Sequence, residues 1–89
     1  MQQFRSLERV VRGFSNHRRI EILTLLNKGS VFSVFDVAER LRIDFRTASD
    51  HLRRLYLAGL VDKKNRGAAV EHTLTGRGKD ILKFLRTLE

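Results

Sequence analysis

The hydrophobic period of the chain breaks at Gly59. Before it, apolar residues recur every three or four positions, the spacing of one face of an α-helix. After it, "LVDKK" and "AAVEHTL" are short and partly alternating, as strands are, and "NRGA" between them suits a hairpin turn. From Thr75 the helical period returns. A chain of 89 residues written this way is restricted to helices packed around one small hairpin.

Glycines at 13, 29, 59, 67, 76 and 78 punctuate the chain, which has no proline. Residues 3–12 predict a first helix, with Phe4, Leu7, Val11 and Phe14 on one stripe. "SNHRRIEILTLLNKG" predicts a second, capped by Ser15 or Asn16 and closed by Gly29. Ile20, Ile22, Leu23, Leu25 and Leu26 cover much of its circumference, so it is expected to be central and buried. A short extended piece is expected at 30–32, then a third helix at 34–41 with Ser33 as cap, Asp36 in its first turn, and Val34, Val37, Ala38 and Leu41 facing inward. "RID" makes a tight connection to a fourth helix, which Asp44 caps and Gly59 ends. There Ala48, Leu52, Leu55 and Tyr56 line up on one side. Thr75 caps the last helix, whose stripe is Ile81, Phe84, Leu85 and Leu88; Gly76 and Gly78 predict that its first turn frays.

The order is helix, helix, short strand, helix, helix, strand, strand, helix. Two short helices joined by a few residues and followed by a hairpin make a winged helix-turn-helix, mainly α with a small β-hairpin wing. One domain over residues 1–89 accounts for the whole chain.

Composition narrows the function. Eighteen Lys plus Arg against ten Asp plus Glu give +8, and the pI is near 11.1, a balance that favours nucleic acid as partner. Cysteine is absent, which removes disulfides and thiolate metal sites and fits the reducing cytoplasm. No apolar run approaches the roughly 18 residues of a membrane span, and "MQQFRSLERV" lacks the apolar core of a signal peptide. No catalytic constellation is present: Ser49, Asp50 and His51 are adjacent on one helix, which is not the geometry of a triad, and no phosphate-cradling glycine loop occurs. An enzyme is not expected. His17, His51 and His72 have no metal-ligand spacing, so neither metal nor cofactor is expected, and a domain this small has little room for a dedicated ligand pocket.

Several segments resemble the ArsR-like winged-helix repressors. "FSNHRRIEILTLLNKG" is similar to that family's second-helix signature, and "VFDVAERLRIDFRTASDHLRRLYLAGLV" to its helix-turn-helix, with Ala38 as the small residue of the third helix. Ser49, Asp50, His51 and Leu52 match its Ser-x-His-Leu element; the Ala-Gly-Leu-Val ending is typical as well. "NRGAAVEHTLTGRG" resembles the wing and the Leu-Thr-x-x-Gly entry to the last helix, shared with MarR-like proteins. The resemblance spans about residues 14 to 85 and rests on the order and spacing of its motifs. Many members sense metals through cysteines on the third helix; here Val34 and Phe35 stand in that stretch, and the last helix has no histidine, so metal sensing is not carried over.

Within this frame the fourth helix is the recognition helix. Arg46 suits guanine in the major groove and Thr47 a base or phosphate, with Ser49, Asp50 and Arg53 on the same broad face. Asp50 repels phosphate and is expected to accept from cytosine or to orient Arg46 or Arg54; Phe45 is expected at the edge of the core. Lys63, Lys64 and above all Arg66, beside Gly67, form a basic wing tip for phosphate or the minor groove, and Arg18 and Arg19 are candidate backbone contacts. Phe4, Leu7, Val11, Leu82 and Leu85 on the terminal helices are the expected homodimer interface, which the resemblance also implies. The expected function is a sequence-specific double-stranded DNA-binding transcriptional regulator, a homodimeric repressor reading an inverted repeat. The alternatives are a winged-helix protein-interaction module and a non-specific architectural DNA binder. Asp36, Glu39, Asp44 and Asp50, acids around helices three and four, argue against the last.

Overall fold

Each long helix after the first begins where a side chain takes up the free backbone N–H groups of its first turn. In the computed structural model, which describes residues 3–29 and 31–89, α1 covers Phe4–Phe14 and α2 His17–Leu26. Of the two candidate caps of α2, Asn16 is the one used: its Oδ1 accepts from the amides of Arg18 and Arg19 at 2.9 and 3.2 Å. Ser33 caps α3 (Val34–Leu41) in a reciprocal capping box with Asp36, both bonds 3.0 Å. Asp44 caps α4 (Phe45–Leu57), accepting from the amides of Arg46 and Thr47. Thr75 caps α5 (Gly76–Arg86) through the amide of Gly78.

Three strands form one antiparallel sheet in the order β1-β3-β2. Of the extended piece expected at 30–32, Ser30 lies outside the described residues; β1 is Phe32–Ser33 and pairs with β3 through Phe32–His72 and Ser33–Glu71. β2 (Val61–Arg66) and β3 (Ala69–Leu74) pair along their full length, from Val61–Leu74 to Arg66–Ala69. The hairpin is therefore tighter than the four-residue "NRGA" link suggests. Gly67 and Ala68 alone make the turn, with Gly67 at φ +60°, while Asn65 and Arg66 remain in the strand.

The core is a single cluster. Ile22, Leu23, Val37, Leu52, Leu55, Leu60 and Val61 are fully buried, so α2, α3, α4 and the start of the wing close around one another. As expected, α2 is its centre, with Ile22, Leu23, Leu25 and Leu26 all buried. Burying a Leu or Ile side chain stabilises by about 1.5–3 kcal/mol, so this cluster dominates the fold's stability.

Several expectations are corrected. Tyr56 leaves the α4 stripe and is 42% exposed, its ring lying 4.3 Å from the Lys63 ammonium. Phe45, expected at the edge of the core, is 56% exposed. His72, expected half-buried, is 2% exposed, and its Nδ1 lies 3.2 Å from the Phe32 carbonyl, which accepts. The first turn of α5 is pinned rather than loose: Gly78 is buried where a Cβ would collide with the Leu60 carbonyl, the Thr75 hydroxyl donates to Gly59 O at 2.7 Å, and Arg77 donates to Ala58 O at 3.1 Å. Leu82, expected at a dimer interface, is 4% exposed and belongs to the core, and Leu85 packs against it partly buried.

Candidate nucleic-acid interface

The turn between α3 and α4 sets the direction of α4, the helix expected to read DNA. Arg42 closes α3 at φ +56°, a left-handed conformation that a non-glycine residue adopts only under local constraint. Its amide donates to Glu39 O, and that of Ile43 to Ala38 O. Two residues later Asp44 starts α4, so the helix begins in a fixed phase. Ala48, Leu52 and Leu55 turn into the core, and Arg46, Thr47 and Arg53 stay exposed, with Ser49 and Asp50 half-buried.

Hydrogen bonds already organise that open face. The Thr47 hydroxyl donates to Asp44 Oδ2 at 2.8 Å; this bond, then the Arg46 amide, holds the Asp44 carboxyl below its ordinary range. Asp50 takes Arg54 Nε at 3.1 Å and Arg53 Nη2 at 3.0 Å, and these two guanidiniums keep it ionised to lower pH than usual. Asp50 thus orients Arg53 and Arg54; Arg46 makes no ion pair among the described residues.

The wing stands beside this face. Lys63, across the hairpin from His72, lines a shallow cleft with Ser49, Arg53 and Asn65. Arg66 at the tip is held by Glu71 at 3.2 Å, whereas Lys64 is exposed. Asn65, which the sequence pattern places in the turn, instead lies in β2 opposite Val70.

The two arginines of α2 separate. Arg18 is half-buried and pairs with Glu21 at 2.9 Å. Arg19 turns back and donates through Nη1 to the carbonyls of Arg12 and Gly13, both at 3.2 Å, tying the end of α1 to α2. Burial, then the charge of Arg54, lowers its pKa. His51 sits beside it, its pKa lowered first by burial and then by Arg19.

Apolar side chains remain exposed on both terminal helices: Phe4, Leu7 and Val11 on α1, Phe84 on α5 and Leu88 just beyond it. Val34 and Phe35, where the resemblance would place thiolates, carry no donor atom, and among the described residues no group of three or more His, Cys, Asp or Glu is placed to hold a metal ion. Among the described residues no helix is long and apolar enough to cross a membrane.

Known structures share this architecture. HlyU from Vibrio cholerae N16961 superposes with a TM-score of 0.83 at 27% identity, covering 99% of this chain and 97% of its own. HlyU from Vibrio vulnificus CMCP6, described as a transcriptional regulator, gives 0.75 at 28% identity over 92% and 85% of the two chains. A homodimeric winged helix-turn-helix DNA-binding domain from Mycobacterium bovis, described as a possible ArsR-family transcriptional regulator, gives 0.86 at 26% identity, over 96% and 79%. None of the curated proteins matches the chain significantly in sequence. The sequence pattern of the bacterial regulatory proteins of the arsR family matches residues 16–63, from the cap of α2 through α4 into β2. That segment is more than half of the chain and holds the whole helix-turn-helix, so this protein belongs to the ArsR family of bacterial regulatory proteins.

Proposed function

We propose that the protein is a homodimeric, sequence-specific repressor that reads an inverted repeat in double-stranded DNA. The observation that carries this is the exposed face of α4: Arg46 and Thr47 in the first turn, Ser49 and Arg53 beyond them, on a helix whose opposite face is locked in the core. A helix so anchored presents its first turn to base edges in a major groove, where an arginine matches guanine in two hydrogen bonds. Asp50 holds Arg53 toward the cleft that Ser49 and Lys63 share, a place for one backbone phosphate. Lys64 and Arg66 extend the cationic surface along the wing; Arg66 exchanges Glu71 for phosphate on binding.

The second half of the reading concerns symmetry. Phe4, Leu7 and Val11, with Phe84 and Leu88, form the contact between two copies. A two-fold dimer places its recognition helices about 34 Å apart, in successive major grooves. Repression then follows from occupying a promoter.

Selection of sites from a random duplex library near physiological salt tests this, with Arg46→Ala run in parallel. An inverted repeat is expected, and the variant loses preference at one base pair per half-site at a cost of about 1–3 kcal/mol. Good binding at low salt without any enriched sequence would instead favour an architectural binder, and weak binding throughout a protein-interaction module.

A further inference from the structure

Two buried polar side-chain atoms lack a hydrogen-bond partner among the described residues, Arg19 Nε and His51 Nδ1. They belong to neighbouring side chains, where the start of α2 meets α4. Beside them an open cleft runs between α1 and the C-terminal half of α4. Its walls carry Arg9, Arg12, Arg19 and Arg54, and Leu57 and Ala58 make its floor apolar.

The chain does not balance the charge gathered there. Arg12 pairs with Glu8 at 3.2 Å, and Arg54 has only a share of Asp50, which also holds Arg53. Arg19 binds carbonyl oxygens and no carboxylate, and Arg9 is in no ion pair among the described residues. Desolvation and the nearby Arg54 already disfavour the charge on Arg19. Guanidiniums bind planar oxyanions through paired hydrogen bonds.

We propose that this cleft binds a small amphipathic oxyanion, a carboxylate or phosphate group on an apolar body. The head group accepts from Arg9, Arg19 and Arg54. The body lies on Leu57 and Ala58 and extends toward Val10 in the adjoining groove. On α1, Arg9 and Arg12 turn away from the Phe4, Leu7 and Val11 stripe, so a dimer contact on that stripe leaves the arginines accessible. Occupancy also reaches the reading face. An anion on Arg54 competes with Asp50, and Asp50 positions Arg53. This regulatory consequence rests on the DNA-reading function proposed above; the binding does not.

The test uses the whole protein without DNA at about 0.15 M salt, where long-range attraction is screened. Benzoate and, separately, inorganic phosphate are titrated while the NMR signals of the arginine Nε–H groups and the backbone amides are followed. Saturable shifts are expected at Arg19 Nε–H and the Ala58 amide, with benzoate saturating at least about tenfold below phosphate and Arg9→Gln weakening it by about tenfold. Shifts spread evenly over exposed arginines, growth without saturation, or indifference to Arg9→Gln would overturn the proposal. Saturation of Arg19 by phosphate and by duplex DNA but not by benzoate would also overturn it, because the cleft would then hold a backbone phosphate. Repeating the benzoate titration with the selected duplex reads the coupling. A change in DNA affinity of several-fold is expected, and none would overturn the link to Arg53 whether or not the repressor reading survives.

Discussion

Gly78 looks in the sequence like a weak point of a helix and acts as a close-contact site. An alanine in an exposed helix position would stabilise by about 1 kcal/mol relative to glycine. Here the added methyl meets the Leu60 carbonyl and the Leu74 side chain, so the balance reverses. Gly78→Ala is expected to destabilise by about 2 kcal/mol or more, lowering Tm by roughly 10 °C in thermal unfolding; a higher Tm would show that the contact relaxes freely. Sequence distinguishes poorly between a glycine needed for a turn and one needed for space, because the second depends on what arrives from elsewhere in the chain. Arg42 is the converse: a left-handed residue at the helix-turn-helix corner that is not the glycine such a position favours. By contrast, the Asp44 cap over the amides of Arg46 and Thr47 was legible, since a cap is local and fixes the phase of α4.

Among the elements, the helices and their order were readable from periodicity, and the sheet was readable only in part. The two strands of the wing alternate, but the pairing of β1 with β3 is a contact over 40 residues that no local pattern announces. It brings His72 into the core between Phe32 and Lys63, and burial lowers its pKa. The unfolded chain therefore binds a proton near pH 6.5 that the folded chain resists. This histidine leaves stability unchanged above that pH and subtracts from it as pH falls below, by at most about 1.4 kcal/mol per pH unit. Denaturant unfolding between pH 7.5 and 5 is expected to show a loss that is reduced in His72→Gln; equal slopes in the two proteins would remove His72 as the cause. Asp44 and Asp50, with depressed pKa values, add a separate loss at still lower pH, as they become protonated. The wing carries its own signature. Lys64 is exposed and unpaired among the described residues, so Lys64→Ala is expected to lower the slope of log affinity against log salt by about 0.9 with sequence preference unchanged. An unaltered slope would place the wing off the DNA backbone.

For the whole molecule, the terminal helices divide their apolar residues between two roles that the sequence alone ran together. Leu82 and Phe14 complete the core; Phe4, Leu7, Val11, Phe84 and Leu88 stay outside it. The stripes read as continuous because helical periodicity records which residues share a face and not what that face meets. Leu7→Asp is expected to give a monomer of 10.4 kDa in sedimentation, in place of a dimer, with thermal stability nearly unchanged and binding to an inverted repeat weakened by at least tenfold. A variant that sediments like the wild type would move the contact elsewhere.

Gly13 joins these scales. It is buried at the end of α1, where a Cβ would strike that of Ala58 just beyond α4, so backbone rests almost directly on a methyl group. The helix proposed to hold the partner copy and the helix proposed to read DNA thus meet at this one point through backbone and a methyl group, with no long side chain between them. In the dimer proposed above, the closeness of that contact sets how far apart the two α4 helices are held. If the proposed dimer reads an inverted repeat, a bulkier residue at Gly13 is expected to leave the preferred bases alone and change the number of base pairs between the half-sites.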